Sequence, residues 1–296
     1  MSDDGRGAEA RSDDREGIGV TTPSQARPSK GDGPRIYPWP PQPPHEFEVI
    51  SVTSALKSLP KPFLIGWAAK MSAEYAVDNL SILTEMVAKG DERAAIDLVK
   101  GARFRDMNKK ADRGTIVHAA VEAYIAGTQV DKDEVDAQLE EKRVPKAMWK
   151  SAHLMISGVY QYLQDTEPEV YRSESTAYSR TYGYAGTADL FARTHVGSGR
   201  VPVVIDIKTS KDIYDEVALQ LVGYARADFV GLDDGTEEPL IPTGERIEYG
   251  IVVRPTPSGK YETATFALTD ALYARFLAVL AVAKSEGLEA AARRPS

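Results

Sequence analysis

The hydrophobic and polar positions of this chain fall into three regimes. Residues 1 to 45 have almost no large apolar side chains. "MSDDGRGAEARSDDREGIGVTTPSQARPSKGDGP" mixes both signs of charge with Gly, Ser and Pro, and cannot offset its ordering entropy. The pattern predicts a disordered tail. "YPWPPQPP" follows as an extended, polyproline-like linker. Docking of its Tyr37 and Trp39 on the domain or on a partner is the alternative.

From Phe47 to about residue 165 the apolar positions follow a helical period. A short helix and a break at 60–62 precede a long helix, on which Leu64, Trp67, Ala68, Met71 and Tyr75 make one stripe. A second helix spans roughly 91–101. After the basic stretch "RFRDMNKKADRG", a third begins at Gly114 or Thr115 and carries Ile116, Val117, Ala120, Val121, Tyr124 and Ile125 on one face. A further helix is expected over 145–164.

Beyond residue 165 the period drops to two. "EVYRSESTAYS", "GYAGTADLFAR" and "VPVVIDIKT" read as strands, the last as a buried one, with "HVGSGR" as the hairpin turn between the second and third. An amphipathic helix over 214–230 places Val217, Gln220, Leu221 and Tyr224 on one face. "RIEYGIVVRP" and "YETATFAL" are strands, and a last helix runs from about 269 to 287 with Thr269 as N-cap. The order gives one α/β domain with a mixed sheet and a helical N-terminal half.

The chain has 296 residues, enough for one large core, and a net charge of −8, which does not announce a nucleic-acid binder. It has no cysteine, so disulfides, thiolate zinc sites, a Cys nucleophile and a cysteine-held iron–sulfur cluster are excluded. No apolar run is long enough for a membrane helix and no signal peptide is visible. A cytoplasmic location is the expectation. There is no P-loop, Gly-x-Ser-x-Gly or His-Glu-x-x-His.

Candidate chemistry starts in "VPVVIDIKTSK". Asp206 and Lys208 are two apart, hence on one face of a strand. Alone, they read as a strand-end ion pair. Asp189 stands on the neighbouring strand, and two facing carboxylates repel unless a cation such as Mg²⁺ or Mn²⁺ joins them. His118 lies on the apolar helix with Glu122 one turn later; it is a core histidine or a nitrogen ligand. Gln220 and Tyr224 face the same end from the following helix. Arg103, Arg105, Lys109, Lys110 and Arg113 read either as phosphate contacts or as a solvated loop.

The ordered set "GTIVHAAVE", "GTADL", "IDIKTSK" and "QLVGYA" resembles the RecB-like branch of the PD-(D/E)XK nuclease superfamily. The resemblance covers residues 47 to 285, and the opening "VTSALKSLPKPFLIGWAAK" is similar to phage and actinobacterial members that lack the iron–sulfur cysteines. It implies a restriction-endonuclease-like core: a mixed central β-sheet flanked by helices, in a domain of residues 46–296 with a helical part to 165 and a catalytic sheet from 166. It implies that His118, Asp189 and Asp206, with the Ile207 carbonyl, hold one or two Mg²⁺ or Mn²⁺ ions. Lys208 would position or help deprotonate water and neutralise the transition state. Gln220 and Tyr224 would contact the substrate or buttress the site. Glu174 is a further candidate for a second ion or an outer-shell role, or else a solvated strand residue.

The implied activity is a metal-dependent DNA exonuclease of recombination, repair or phage DNA processing. DNA would be its partner, with a recombination annealing protein or helicase as a further partner if there is one, in a bacterial cell or in the host cytoplasm if phage-encoded. An endonuclease on the same fold and a non-catalytic nucleic-acid-binding relative are the alternatives.

Overall fold

A computed structural model describes residues 34–128 and 130–285. The charged segment before residue 34 lies outside them. A strand β1 (Ile36–Trp39) pairs antiparallel with β2 (Phe47–Ser51). Ser51 then caps a single-turn helix α1 (Val52–Ala55), its Oγ accepting the Ser54 N–H at 2.9 Å. The helical half follows: α2 (Phe63–Asp78), α3 (Leu80–Ala88), α4 (Glu92–Ile125), α5 (Lys132–Glu141) and α6 (Lys146–Thr166). The remainder runs β3 (Glu169–Ser179), β4 (Tyr184–Val196), β5 (Gly199–Ile207), α7 (Glu216–Ala225), β6 (Phe229–Gly231), β7 (Glu237–Glu238), β8 (Tyr249–Pro255), β9 (Tyr261–Ala267) and α8 (Asp270–Ser285).

The strands form one mixed sheet in the order β7-β6-β3-β4-β5-β8-β9, with helices on both faces. β4 and β5 are an antiparallel hairpin, and β5 and β8 are parallel, with α7 inside the crossover that such a pair requires. Residues alternate between the two layers along β5. Val204 packs toward α1, α7 and α8, while Val203, Ile205 and Ile207 pack toward α4, α5 and α6. The hairpin ladder stops at Leu190↔Ile205; ahead of it, the start of β4 pairs with β2 instead. This fork in the sheet places the last two residues of β5 beside β4 without a ladder partner there.

Three expectations need correction. Order begins before Phe47, because residues 36–39 are a strand and not a linker. Trp39 is buried between Tyr178 and Phe229 at ring distances of 5.0 and 5.2 Å, and donates its indole N–H to Glu237. Gly231 leaves room for it, since a Cβ there would lie 2.2 Å from the indole ring.

The basic stretch is not a loop. α4 is continuous over 34 residues, because the Arg, Lys, Met and Ala of that segment favour helix and no proline interrupts it. The α2 stripe is only half-buried: α2 packs on α4, Trp67, Ala68, Met71 and Tyr75 are half-buried, Leu64 is exposed, and no α2 residue is buried. α5, β6 and β7 were not anticipated, although α5 opens with a full capping box between Asp131 and Glu134. Thr269 does cap the last helix, accepting the Leu272 N–H at 3.2 Å. No described helix is long and apolar enough to cross a membrane.

Replacing Trp39 with Ala is expected to destabilise the domain by about 3–5 kcal/mol in urea titrations followed by circular dichroism. A linker tryptophan would leave the midpoint unchanged.

Candidate metal and catalytic site

The end of β5 carries two charges into the layer of α7. Asp206 is buried. The Lys208 ammonium lies 2.9 Å from its Oδ1 and 2.8 Å from its Oδ2, and donates to Gln220 Oε1 at 3.1 Å. Gln220 spends its two N–H bonds on Asp206 Oδ1 (3.0 Å) and the Tyr224 hydroxyl (2.8 Å). The i, i+4 spacing on α7 makes that second contact possible. The Tyr224 ring lies against β4 at Gly186, where a Cβ would approach it to 2.4 Å; any side chain at 186 would displace it. Burial pushes the Asp206 carboxyl up to about 6, in spite of the opposing pull of Lys208. Burial pushes Lys208 down, but the charges of Asp206 and Asp189 outweigh it, so the ammonium holds its proton more tightly than usual.

A second cluster forms one strand over. In β4 the alternation breaks: Ala188 packs toward α7 and α8, yet Leu190, two residues on, packs toward α4 and α6. Opposite, Glu174 of β3 takes a left-handed φ of +44°, unusual inside a strand. Asp189 and Glu174 both reach His118 on α4. His118 Nδ1 lies 3.5 Å from Asp189 Oδ1 and 3.6 Å from Glu174 Oε1. Asp189 Oδ2 accepts the Ile207 N–H at 2.5 Å, taking a backbone donor that β4's ladder has left behind.

Burial pushes His118 down, but Asp189, through charge and hydrogen bonding, with Glu174 behind it, carries the imidazole well above its usual value. Burial raises Glu174. It also pushes Asp189 up, but the charge and hydrogen bond of His118 win and leave it below its usual value. Glu122 and Ile207 complete the walls of this narrow pocket, and burial raises Glu122.

His118, Glu174 and Asp189 offer one nitrogen and two carboxylate oxygens within 4.8 Å of one another, a donor set that fits a small divalent cation. Asp206 stands outside this group, with both of its oxygens next to the Lys208 ammonium. In the structure, Asp206 turns to Lys208 and Gln220, so the His118 cluster gains Glu174 in its place. Glu174, a further candidate in the sequence, joins the cluster through its position opposite Asp189 and its backbone twist.

The basic residues divide. Arg113 points inward, its guanidinium donating to Ser151 Oγ (3.2 Å) and to the Thr209 carbonyl (3.3 Å), so it braces the end of β5. Gly114 beside it lets α4 close on Thr209, whose hydroxyl would be 2.9 Å from a Cβ; His118 then follows one turn later. Arg103 lies over the Phe104 ring, Arg105 over Tyr75, and Lys110 pairs with Asp106. Lys109 lies on the exposed side of α4.

No protein-family model matches the chain, and no curated protein matches it. Among solved structures the chain is similar to an alkaline exonuclease, LHK-Exo, from Laribacter hongkongensis. The two are 15% identical over 62% of this chain and 86% of that one, with a TM-score of 0.28. LHK-Exo in complex with dAMP is similar at 16% identity, with the same coverage and TM-score.

Asp206 and Glu174 hold protons more tightly in the fold than in the unfolded chain. What each lends to stability is complete below its ordinary pKa and is lost as pH rises through the folded value, about 6 for Asp206. The raised His118 behaves alike: its contribution fades as pH climbs above its ordinary 6.5. Asp189, lowered, loses its contribution only in acid. A divalent cation held by these groups would take over from the lost protons. Added Mn²⁺ is therefore expected to raise the melting temperature more at about pH 8 than at about pH 5.5. The gain is about 2.7 kcal/mol at a hundredfold excess over Kd. Asp189→Asn is expected to abolish the shift. Thermal scans against EDTA controls check both, and an equal shift at the two pH values contradicts the cluster's role.

Proposed function

We propose that this protein is a divalent-metal-dependent nuclease of the RecB-like, PD-(D/E)XK type, hydrolysing DNA phosphodiester bonds as an exonuclease. The observation that carries the reading is the meeting of Asp189, Asp206 and Lys208 where β4 and β5 part, with His118 and Glu174 on one side and Gln220 and Tyr224 on the other. The one cluster of potential metal ligands among the described residues lies at that same place.

His118, Glu174 and Asp189 would hold Mg²⁺ or Mn²⁺, with Asp206 and the Ile207 carbonyl as further ligands. Such an ion lowers the pKa of water and offsets charge on a phosphate. Lys208, held by Asp206 and Gln220, would position the attacking water or help deprotonate it, and would donate to the phosphoryl oxygens. Gln220 fixes both Lys208 and Asp206, and Tyr224 fixes Gln220. Arg113 keeps the β5 end in register with the helix bearing His118. The exposed Arg103, Lys109 and Lys110 would meet the phosphate backbone beyond the site. Recombination, repair or phage DNA processing, with a helicase or annealing protein delivering ends, is the setting this activity suits.

Incubation with 5′- and 3′-labelled single- and double-stranded DNA is expected to give Mg²⁺-dependent digestion that EDTA stops. Linear DNA should be degraded and covalently closed circles spared; equal loss of both would turn the reading to an endonuclease. Asp206→Ala and Lys208→Ala should each slow the rate by about 10²–10³-fold, with folding checked by circular dichroism. Wild-type rates in both variants would falsify the site.

A further inference from the structure

Beside the proposed metal site stands a pair of aromatic rings to which none of the roles above gives work. Phe63, the first residue of α2, and Tyr214, in the loop between β5 and α7, stack with centroids 5.5 Å apart and planes 8° from parallel. The rings overlap with an offset, and Phe63 remains 53% and Tyr214 44% exposed, so the stack keeps ring surface open to water. The two segments are tied by an ion pair between Lys61 and Glu216 at 2.8 Å, with both side chains two-thirds buried or more. The rings are thus mounted, not loose.

Their mounting also fixes them to the reaction centre. The Tyr214 carbonyl accepts the Val217 N–H at 3.0 Å and so begins α7. Gln220, which holds Asp206 and Lys208, is one helical turn beyond Glu216, about 5.4 Å along the axis. The Glu216 charge is close enough to act on Lys208. On the other side of the same loop, Arg113 holds the Thr209 carbonyl and brings a cationic group next to it.

A flat, uncharged, half-exposed ring stack beside a phosphate-cleaving centre matches one kind of ligand face. That face is an unpaired nucleobase, which adds to the stack as a third ring whatever its identity. A base inside a duplex has both faces covered by its neighbours and has none to offer. We infer that Phe63 and Tyr214 form the stacking platform for an unpaired base next to the scissile phosphate. The strand therefore reaches the site single-stranded or as a frayed end. This inference rests on the nuclease reading.

The test uses the full chain, with Ca²⁺ in place of Mg²⁺ and absence of cleavage verified. Binding of labelled single-stranded oligonucleotides is followed by fluorescence anisotropy. One abasic position is moved stepwise from the end. Wild-type protein is expected to bind about tenfold more weakly when the abasic position meets the platform. Tyr214→Ala and Phe63→Ala should lose that position-specific penalty, while Tyr214→Phe keeps it; a merely structural loss would weaken all oligonucleotides alike. If Tyr214→Ala keeps the wild-type abasic profile while wild-type protein digests DNA in Mg²⁺, the platform is overturned and the nuclease reading stands. If the wild-type chain neither binds nor digests DNA, the nuclease reading falls and the platform with it.

Discussion

The structure turns on a sheet that forks with charges at the fork. Where β4 leaves β5, the last residues of β5 lose a neighbour, and a backbone N–H and two ionised side chains must find partners inside the protein. Each neighbouring feature answers that demand. Asp189 takes the Ile207 N–H, Lys208 takes Asp206, and Gln220 bridges the two while Tyr224 holds Gln220. Removing one member leaves a buried charge uncompensated, a loss of several kcal/mol. The apolar half of β5 is what makes the arrangement tolerable. Val203, Ile205 and Ile207 anchor the strand in one layer and Val204 in the other, so the charged end cannot slide out to water.

The fork also dictates how closely the helices approach. α4 must come near enough for His118 to reach across to β3 and β4, and α7 near enough for Tyr224 to lie on β4. Both approaches run through glycine: Gly114 against Thr209 and Gly186 against Tyr224. The result is two acidic clusters with a shared wall, one balanced by an ammonium and the other by an imidazole whose proton is held unusually tightly. Proton-sharing of that kind is an electrostatic substitute for a cation. Glu174 joins the second cluster only through a left-handed backbone, a local strain kept in place by the ladder on either side of it. By contrast α2 and α3 bury no residue and lie outside both core layers.

Much of this was legible in the order of residues. β3 matches its Tyr-, Thr- and Ser-rich stretch from residue 169 to 179, although its second half is buried on both faces. β5 was legible as a continuous apolar run and α7 from its helical period, and the faces taken by Asp206 and Lys208 on one and Gln220 and Tyr224 on the other follow from those local patterns, whereas the break of alternation in β4 that sets Asp189 does not. The misreadings were of a different sort. A stretch of Arg and Lys suits a loop or a helix equally, and only the continuity of α4 between its two packed ends decided it. Trp39 looked like part of a proline linker because the cavity that takes it is made by Tyr178, Phe229 and Gly231, far along the chain. Strands of two or three residues such as β6 and β7 have no period to detect.

The amino-acid sequence alone determined which faces of β5, α4 and α7 carry charge, and hence that carboxylates, a lysine and a histidine would be gathered on packed elements. Side-chain direction on a helix or strand is a local property, so it is written locally. Only the tertiary structure decided which of these groups meet. It gave Asp206 to Lys208 and Gln220, brought Glu174 to His118 and Asp189, turned Arg113 from a phosphate contact into a brace, and set Phe63 of one helix upon Tyr214 of a distant loop. Those pairings depend on register, on the fork between β4 and β5 and on the closeness of helix to sheet, and no short stretch of chain contains that information.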